Sequence, residues 1–285
     1  MKKGVSARRR ATVPRRLIGF VGCGNMATAL VKGLLGAKLY TPAQVWASDV
    51  DARKLAGAQR RFGIGITRDN AALVHGSKIL VIAVKPQIID AVLAQMRPAV
   101  TPAKLFISIA AGVTTATLEA ALGDAARVLR VMPNTPALLG KGMSALVRGR
   151  RATAGDARLG LRLLRAVGRA VAVDQERTLD AVTGLSGSGP AYLYLFAEAL
   201  IFGGVAAGLP EALATQLALQ TIAGAAAMLQ ETHQTPQALR AMVTSPGGTT
   251  LAGLGELERR GFKDAVAAAV VTATRRSEEL GRTAS

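Results

Sequence analysis

The order of apolar and polar positions changes character once along the chain, near residue 175. Before that point short β-branched runs recur at residues 17–21, 45–48, 64–67, 79–84, 105–109, 128–131, 144–147 and 170–173. Between most of them lie segments with apolar residues at helical spacing, such as 27–35, 52–62 and 88–96. The run Ile79-Leu80-Val81-Ile82-Ala83-Val84 is apolar at every position, the pattern of a strand covered on both sheet faces. Strands alternating with helices predict an α/β domain built on a parallel sheet with right-handed crossovers.

After Asp174 the strand signals vanish. Helical periodicity continues through 178–184, 191–207, 211–230, 236–244, 249–260 and 263–280. Gly184, Gly208 and Gly261 read as helix stops, and Pro210 and Pro236 as first-turn residues. The segments 191–207 and 214–229 are apolar nearly all round, which predicts a small all-helical domain that buries surface in a second chain. The most membrane-like run, 190–209, is interrupted by Glu198 and rich in Gly and Ala. A span needs about 20 predominantly apolar residues, so a helix buried in an interface is expected instead.

Composition adds few constraints, but they are useful. Of 285 residues half are hydrophobic and 19% charged, which excludes a disordered or collagen-like chain. Aromatics are only 4%, so the core is expected to use small side chains. The single cysteine excludes a disulfide framework and a Cys-cluster zinc site, and suits a reducing, cytoplasmic compartment. The two isolated histidines, His75 and His233, leave little material for a metal centre, and none is expected.

The net charge of +18 is unevenly spread: +7 in residues 1–16, +13 in 17–174 and −2 in 175–285. The chain therefore reads as a basic, disordered tail (1–16), a dinucleotide-binding domain (17–174) and a helical domain (175–285). The tail has no apolar core, so it is not a secretory signal. A solvated extension is expected, with a transit peptide or an early start codon as the other readings. A basic domain attracts nucleic acid or anionic lipid non-specifically, but it also favours a polyanionic cofactor. Neither nucleic acid nor membrane is expected as a partner, because aromatic platforms are scarce and the helical domain is slightly acidic.

The strongest local motif lies at the first strand. Val21 leads into Gly22-Cys23-Gly24-Asn25-Met26-Ala27 and then a helix. Gly22 permits the tight turn, Gly24 lets a pyrophosphate approach the backbone, and Ala27 allows close helix–strand packing. The free N–H groups of the helix start then face the phosphates. This Rossmann-type fingerprint points to dinucleotide binding; Cys23 reads as a small residue tolerated in the turn. Asp49 closes the second strand, where an acid accepts ribose hydroxyls and favours NAD. Arg53 and Lys54 are placed to meet a 2′-phosphate instead, and Asp49 is also placed to cap the helix beginning at Asp51. Later strands end in Ala83-Val84-Lys85-Pro86, Ala110-Ala111-Gly112 and Met132-Pro133-Asn134, on the sheet edge where open α/β sheets bind ligands. In the helical domain, Thr244-Ser245-Pro246-Gly247-Gly248-Thr249-Thr250 puts hydroxyls and free N–H groups at a helix start, suited to a small carboxylate or to a capped turn. Leu185-Ser186-Gly187-Ser188-Gly189-Pro190 is similar, its glycines suggesting close chain approach.

Taken together these segments resemble pyrroline-5-carboxylate reductase over about residues 17–280. The most specific element is VTSPGGTTLAGLGELE, 243–258, with IGFVGCGNMATAL, AVKPQ, ISIAAGV, VMPNTP and GLSGSGPAY in order. The resemblance implies reduction of L-1-pyrroline-5-carboxylate to L-proline by NADPH or NADH, and a homodimer interlocked through the helical domain, often a pentamer of dimers. It places Gly22 to Met26, Asn70, Ala83 to Pro86 and Ile109 to Ala111 at the cofactor, with Asp49 at its ribose end. It places Thr249 and Thr250 at the substrate turn, with Glu176 bordering it. Hydride transfer to a protonated cyclic imine needs positioning more than a strong acid or nucleophile. The expected arrangement has backbone N–H groups of Gly248, Thr249 and Thr250, beside Ser245, on the substrate carboxylate. The Thr250 hydroxyl is expected on the ring nitrogen, and the nicotinamide across Lys85, Ala110 and Asn134. Lys85 either supports the field or braces its loop. A β-hydroxyacid dehydrogenase would share the architecture but needs a catalytic lysine on a second-domain helix, and 175–260 contains none.

Overall fold

The architecture comes from a computed structural model, which describes residues 17–283. The basic tail 1–16 lies outside the described residues. The chain divides into two compact units, one of residues 1–180 and 277–285, the other of residues 181–276.

The first unit is a single eight-stranded sheet: β1 (Ile18–Val21), β2 (Val45–Ser48), β3 (Gly65–Thr67), β4 (Ile79–Ile82), β5 (Leu105–Ser108), β6 (Arg127–Met132), β7 (Gly142–Arg148) and β8 (Gly168–Ala172). Its order is β3-β2-β1-β4-β5-β6-β7-β8. Side chains alternate between two cores. Ile18, Phe20, Val81 and Ile107 meet α1 (Asn25–Gly36), α2 (Ala52–Phe62) and α6 (Ala154–Leu164) through Leu30, Leu34, Leu55 and Leu163. Leu80, Ile82, Phe106 and Val128 join the opposite core with α3 (Asn70–Gly76), α4 (Ile89–Met96) and α5 (Thr115–Leu122) through Leu73, Leu93 and Leu118. Phe20, Leu80, Ile82 and Phe106 are fully buried, each worth about 1.5–3 kcal/mol. Continuous apolar strands are thus explained by helices on both faces.

The expectation of an all-parallel sheet needs one correction. β6 and β7 pair antiparallel, with Leu129 opposite Arg148, while every other neighbouring pair is parallel. The cause is length. Residues 133–141 hold only a short 3₁₀ turn, Thr135–Leu139, whereas a parallel return needs a crossover of a dozen or more residues. From β7 the chain does cross over, through α6, and β8 returns parallel.

The second unit is helical, and two of its helices cross into the first. They are α7 (Thr178–Val182), α8 (Gly189–Ala206), α9 (Glu211–Glu231), α10 (Pro236–Met242), α11 (Thr249–Arg259) and α12 (Phe262–Thr283). Gly208 and Gly261 do end helices, at φ +96° and +66°. Gly184 does not: it sits within a π-helical turn, Thr183–Gly187, that carries α7 on towards α8. A Cβ on Gly184 would lie 2.5 Å from the Val270 carbonyl oxygen, so this glycine serves close helix packing rather than termination. The unit buries little apolar surface by itself. Phe202 is 77% exposed, and Leu193, Tyr194 and Leu195 are also open. The stretches Thr178–Ala206 and Glu211–Glu231 are long and apolar enough to cross a membrane by length and composition.

Candidate functional site

β1 lies between β2 and β4, so the strand order reverses there and opens a crevice at the carboxyl ends of those strands. Gly22 turns the chain at φ +97°, and a Cβ there would lie 2.7 Å from the Ala83 carbonyl oxygen. Gly24 is the N-cap of α1, has extended backbone, and carries no side-chain cap; nothing lies within 4 Å of where its Cβ would be. The first N–H groups of α1 therefore carry no side-chain cap, which leaves them available to a phosphate. Ala27 is buried against the sheet, which holds the helix start at the turn. These features fit a dinucleotide.

The side chains round this turn are mutually braced. Asp49 at the end of β2 accepts from the Cys23 N–H at 2.8 Å and from the Asp51 N–H at 2.9 Å. Its carboxylate thus shapes the glycine turn. The helix cap is supplied by Asp51, which accepts from the Arg53 and Lys54 N–H groups. Capping of α2 by Asp49 is corrected accordingly. Burial and then the Asp49 carboxylate push the Cys23 thiol up to about 11, against the pull of Lys54. That thiol is neutral and inert. Arg53 and Lys54 are exposed on the first turn of α2. Asn70 accepts from the Ser48 hydroxyl at 2.6 Å and donates to Gln95 at 2.7 Å, so its amide links β2 to α4.

The later loops follow the same edge. Ala83 and Val84 are half-buried, while Lys85 and Pro86 are exposed, and no hydrogen bond or ion pair engages the Lys85 ammonium among the described residues. Ala110 is buried, with Ile109 half-buried and Ala111 exposed beside it. Asn134 accepts from the Met143 N–H at 2.8 Å and so tethers its loop to β7.

In the second unit, Gly248 is the N-cap of α11, again without a side-chain cap. Gly247 turns at φ +69°. The Gly248 N–H donates to the Ser245 carbonyl at 3.0 Å, so it is removed from the expected carboxylate donors. The N–H groups of Thr249 and Thr250 remain available at the helix start. Ser245, Thr249 and Thr250 are exposed.

Glu176, expected beside the substrate, is held by residues of the first unit. One carboxylate oxygen accepts from the Thr115 N–H at 2.7 Å and from Arg130 Nη1 at 2.8 Å; the other accepts from the Thr115 hydroxyl at 2.6 Å. Burial raises its pKa, but the Thr115 hydroxyl and N–H and the Arg130 guanidinium outweigh it and hold the group below its ordinary value. A carboxylate so engaged braces the start of α5. Arg130 was not singled out from sequence. Its signal is a charged residue inside the otherwise apolar run 128–131, where only a partnered charge is tolerated.

One further group escapes sequence reasoning. Lys104, buried at the start of β5, donates to the carbonyl oxygens of Val74 at 2.6 Å, His75 at 3.2 Å and Ser77 at 2.9 Å. It closes the C-terminal end of α3 in place of a glycine cap, and burial lowers its pKa. No group of three or more metal-ligating side chains occurs among the described residues.

Comparison with known proteins is consistent with this geometry. Residues 176–280 match the family of pyrroline-5-carboxylate reductase dimerisation, and residues 17–112 that of NADP oxidoreductase, coenzyme F420-dependent. A pyrroline-5-carboxylate reductase of Methanosarcina acetivorans is 45% identical over 93% of this chain and 98% of its own. The solved pyrroline-5-carboxylate reductase of Coxiella burnetii superposes with a TM-score of 0.87 at 36% identity, covering 93% of this chain and 98% of that one. The Plasmodium falciparum pyrroline carboxylate reductase, solved with NADP bound, gives 0.84 at 32% identity over 95% and 100%.

Proposed function

The chain belongs to the pyrroline-5-carboxylate reductase family, and from that membership we propose how its residues divide the reaction. It is an NAD(P)H-dependent oxidoreductase that reduces L-1-pyrroline-5-carboxylate to L-proline, the last step of proline biosynthesis. The observation that carries the division of labour is that α1 and α11, one in each unit, both start from a glycine without a side-chain cap. Each leaves charge-seeking N–H groups open to an anion.

In the first unit the N–H groups after Gly24 hold the pyrophosphate, Asp49 orders the turn and faces the ribose, and Lys85 adds positive charge at the sheet edge. Ala83, Val84 and the loop Ile109 to Ala111 offer small side chains, which leave room for a flat ring. Asn134 stiffens the last loop. A nicotinamide held there would supply a hydride to the electrophilic C=N carbon.

In the second unit the Thr249 and Thr250 N–H groups hold the substrate carboxylate, and the Thr250 hydroxyl accepts from the N–H of the protonated imine. That bond fixes the ring and favours the iminium form, so no strong acid is required of the protein. Replacing Thr250 by Ala tests this. Turnover with L-1-pyrroline-5-carboxylate should fall between about tenfold and a hundredfold, the worth of one hydrogen bond to a charged group, with the fold and NADPH affinity retained. Thr250→Ser should keep most of it. Unchanged kinetics in Thr250→Ala sinks the assignment.

Self-association accompanies the dimerisation family matched over 176–280. In finer terms, α8 and α9 are covered by a second copy in a homodimer, which assembles further into a decamer, and the enzyme works in the cytoplasm. Light scattering on the purified enzyme in detergent-free buffer separates this from insertion into a membrane.

A further inference from the structure

The glycine turn and the ends of β2 and β3 form a basic corner of the first unit. Parallel pairing sets Ser48 opposite Thr67, so Asp49 and Val50 leave the sheet beside Arg68. Arg68 turns its guanidinium back across that seam, with Nη2 3.5 Å from the Val50 carbonyl oxygen. Arg53 and Lys54 stand on the first turn of α2, and Lys54 is near enough to the glycine turn for its charge to act on the Cys23 thiol. All three cations are exposed, and none is paired with a carboxylate among the described residues.

Three acids share the corner, but each is turned to backbone. Asp49 takes the Cys23 N–H on one oxygen and the Asp51 N–H on the other. Asp51 takes the Arg53 and Lys54 N–H groups, and Asp69 that of Ala72. Both Asp49 oxygens are thus engaged, whereas selection of NADH asks for an acid that accepts from the ribose hydroxyls. The cations, by contrast, lie open, and α2 gains nothing from them: positive charge on a first turn opposes the helix dipole. A phosphate monoester would take up that charge, because guanidinium groups pair with phosphate oxygens two at a time. On the dinucleotide site proposed above, we infer that Arg53 and Arg68, with Lys54 in support, are the specificity-determining residues for the cofactor. They hold the 2′-phosphate and make NADPH the preferred hydride donor, while Asp49 shapes the turn without selecting NADH.

The test is equilibrium binding of NADPH and of NADH to the full-length enzyme, read by fluorescence without imine. Wild type is compared with Arg53→Gln, Arg68→Gln, the double Gln variant and Arg53→Glu, with thermal melts on the same samples. Wild type should bind NADPH at least about tenfold more tightly than NADH, the worth of a hydrogen bond to a charged group. Each Gln variant should cut that ratio about threefold to tenfold, through the NADPH value, because the pairs are exposed. The double variant should bring the ratio near unity, and Arg53→Glu, which adds repulsion, should lower it more than Arg53→Gln does. Salt raised from about 50 to 500 mM should narrow the wild-type ratio by screening. Tm should hold or rise in Arg53→Gln, since the first turn of α2 loses an unfavourable cation. Equal affinities in wild type, or tighter NADH, overturn the inference. It is overturned equally if selectivity survives the double variant, or if NADPH and NADH affinity fall in step, which marks a structural role. An enzyme that selects NADPH through these residues yet does not reduce L-1-pyrroline-5-carboxylate defeats the proposed function and leaves the selectivity standing.

Discussion

Gly24→Ala is the substitution that separates fold from cofactor most cleanly. Gly24 has φ −72° and ψ −178°, which alanine adopts without strain, and no atom lies within 4 Å of the added methyl. Two small terms then oppose each other. Alanine restricts the unfolded chain, worth about 0.4–1 kcal/mol in favour; it is also a poorer N-cap than glycine, at a cost of about 1 kcal/mol. They nearly cancel, so Tm should move by no more than about 4 °C. The methyl does, however, add bulk at the residue that opens α1, where the fingerprint glycine lets a pyrophosphate approach the backbone. Displacing a phosphate oxygen from one α1 N–H forfeits a charge-assisted bond of about 1.5–3 kcal/mol. NADPH and NADH affinity should therefore fall between about tenfold and more than a hundredfold. Gly22→Ala is the control. Its φ of +97° and the 2.7 Å approach to the Ala83 carbonyl oxygen strain the backbone by about 1–3 kcal/mol, so that variant should lose several degrees of Tm as well as affinity. Fluorescence titration and thermal melts on the same samples decide it. Wild-type NADPH affinity in Gly24→Ala, or affinity and Tm lost in step, refutes the reasoning.

Three other outcomes follow from the same contacts. The Glu176 pKa is held below its ordinary 4.5, so its bonds contribute fully above that value and are lost as pH falls through the depressed one. The Tm gap between wild type and Glu176→Gln should be widest near neutrality and close as the pH drops below 4.5. Lys104→Met leaves three carbonyl oxygens at the end of α3 without their donor and should cost about 1–3 kcal/mol by urea unfolding, with kcat little changed at low temperature. Phe202→Glu puts a charge on a side chain that is 77% exposed in the single chain. If α8 is an interface, light scattering should show smaller assemblies; an unchanged mass would place the interface elsewhere.

How much of this was legible in the sequence depends on how local each signal was. Strands such as Ile79–Ile82 announce themselves because burial on two faces forces an unbroken apolar run. Gly22 and Gly24 are legible because a turn, a close approach and a helix start follow one another within six residues. The reversal of β7 is harder to see: its residues look like those of any other strand, and only the short connection 133–141 betrays its direction. Gly184 misleads because a stop glycine and a packing glycine are the same residue, told apart only by the approach of Val270 and Thr274. The charged contacts that sequence reading misses share one cause. Glu176 meets Arg130 across 46 positions and Asp180 meets Ser277 across 97, and Lys104 meets α3 from nearly 30 positions away. No local pattern records who neutralises a buried charge.

The bond between Asp180 and Ser277 also bears on how such a chain is put together. A hydroxyl–carboxylate contact of 2.7 Å brings two backbones separated by 97 positions within reach of a few residues of linker. Topologically, then, the 96 residues 181–276 are an insertion between two ends that already meet. Excising them and rejoining Asp180 to Ser277 by a short Gly-Ser bridge would leave the sheet, its glycine turn and its closing segment in one piece. The same seam is where a different helical module could be grafted onto an unchanged nucleotide-binding half.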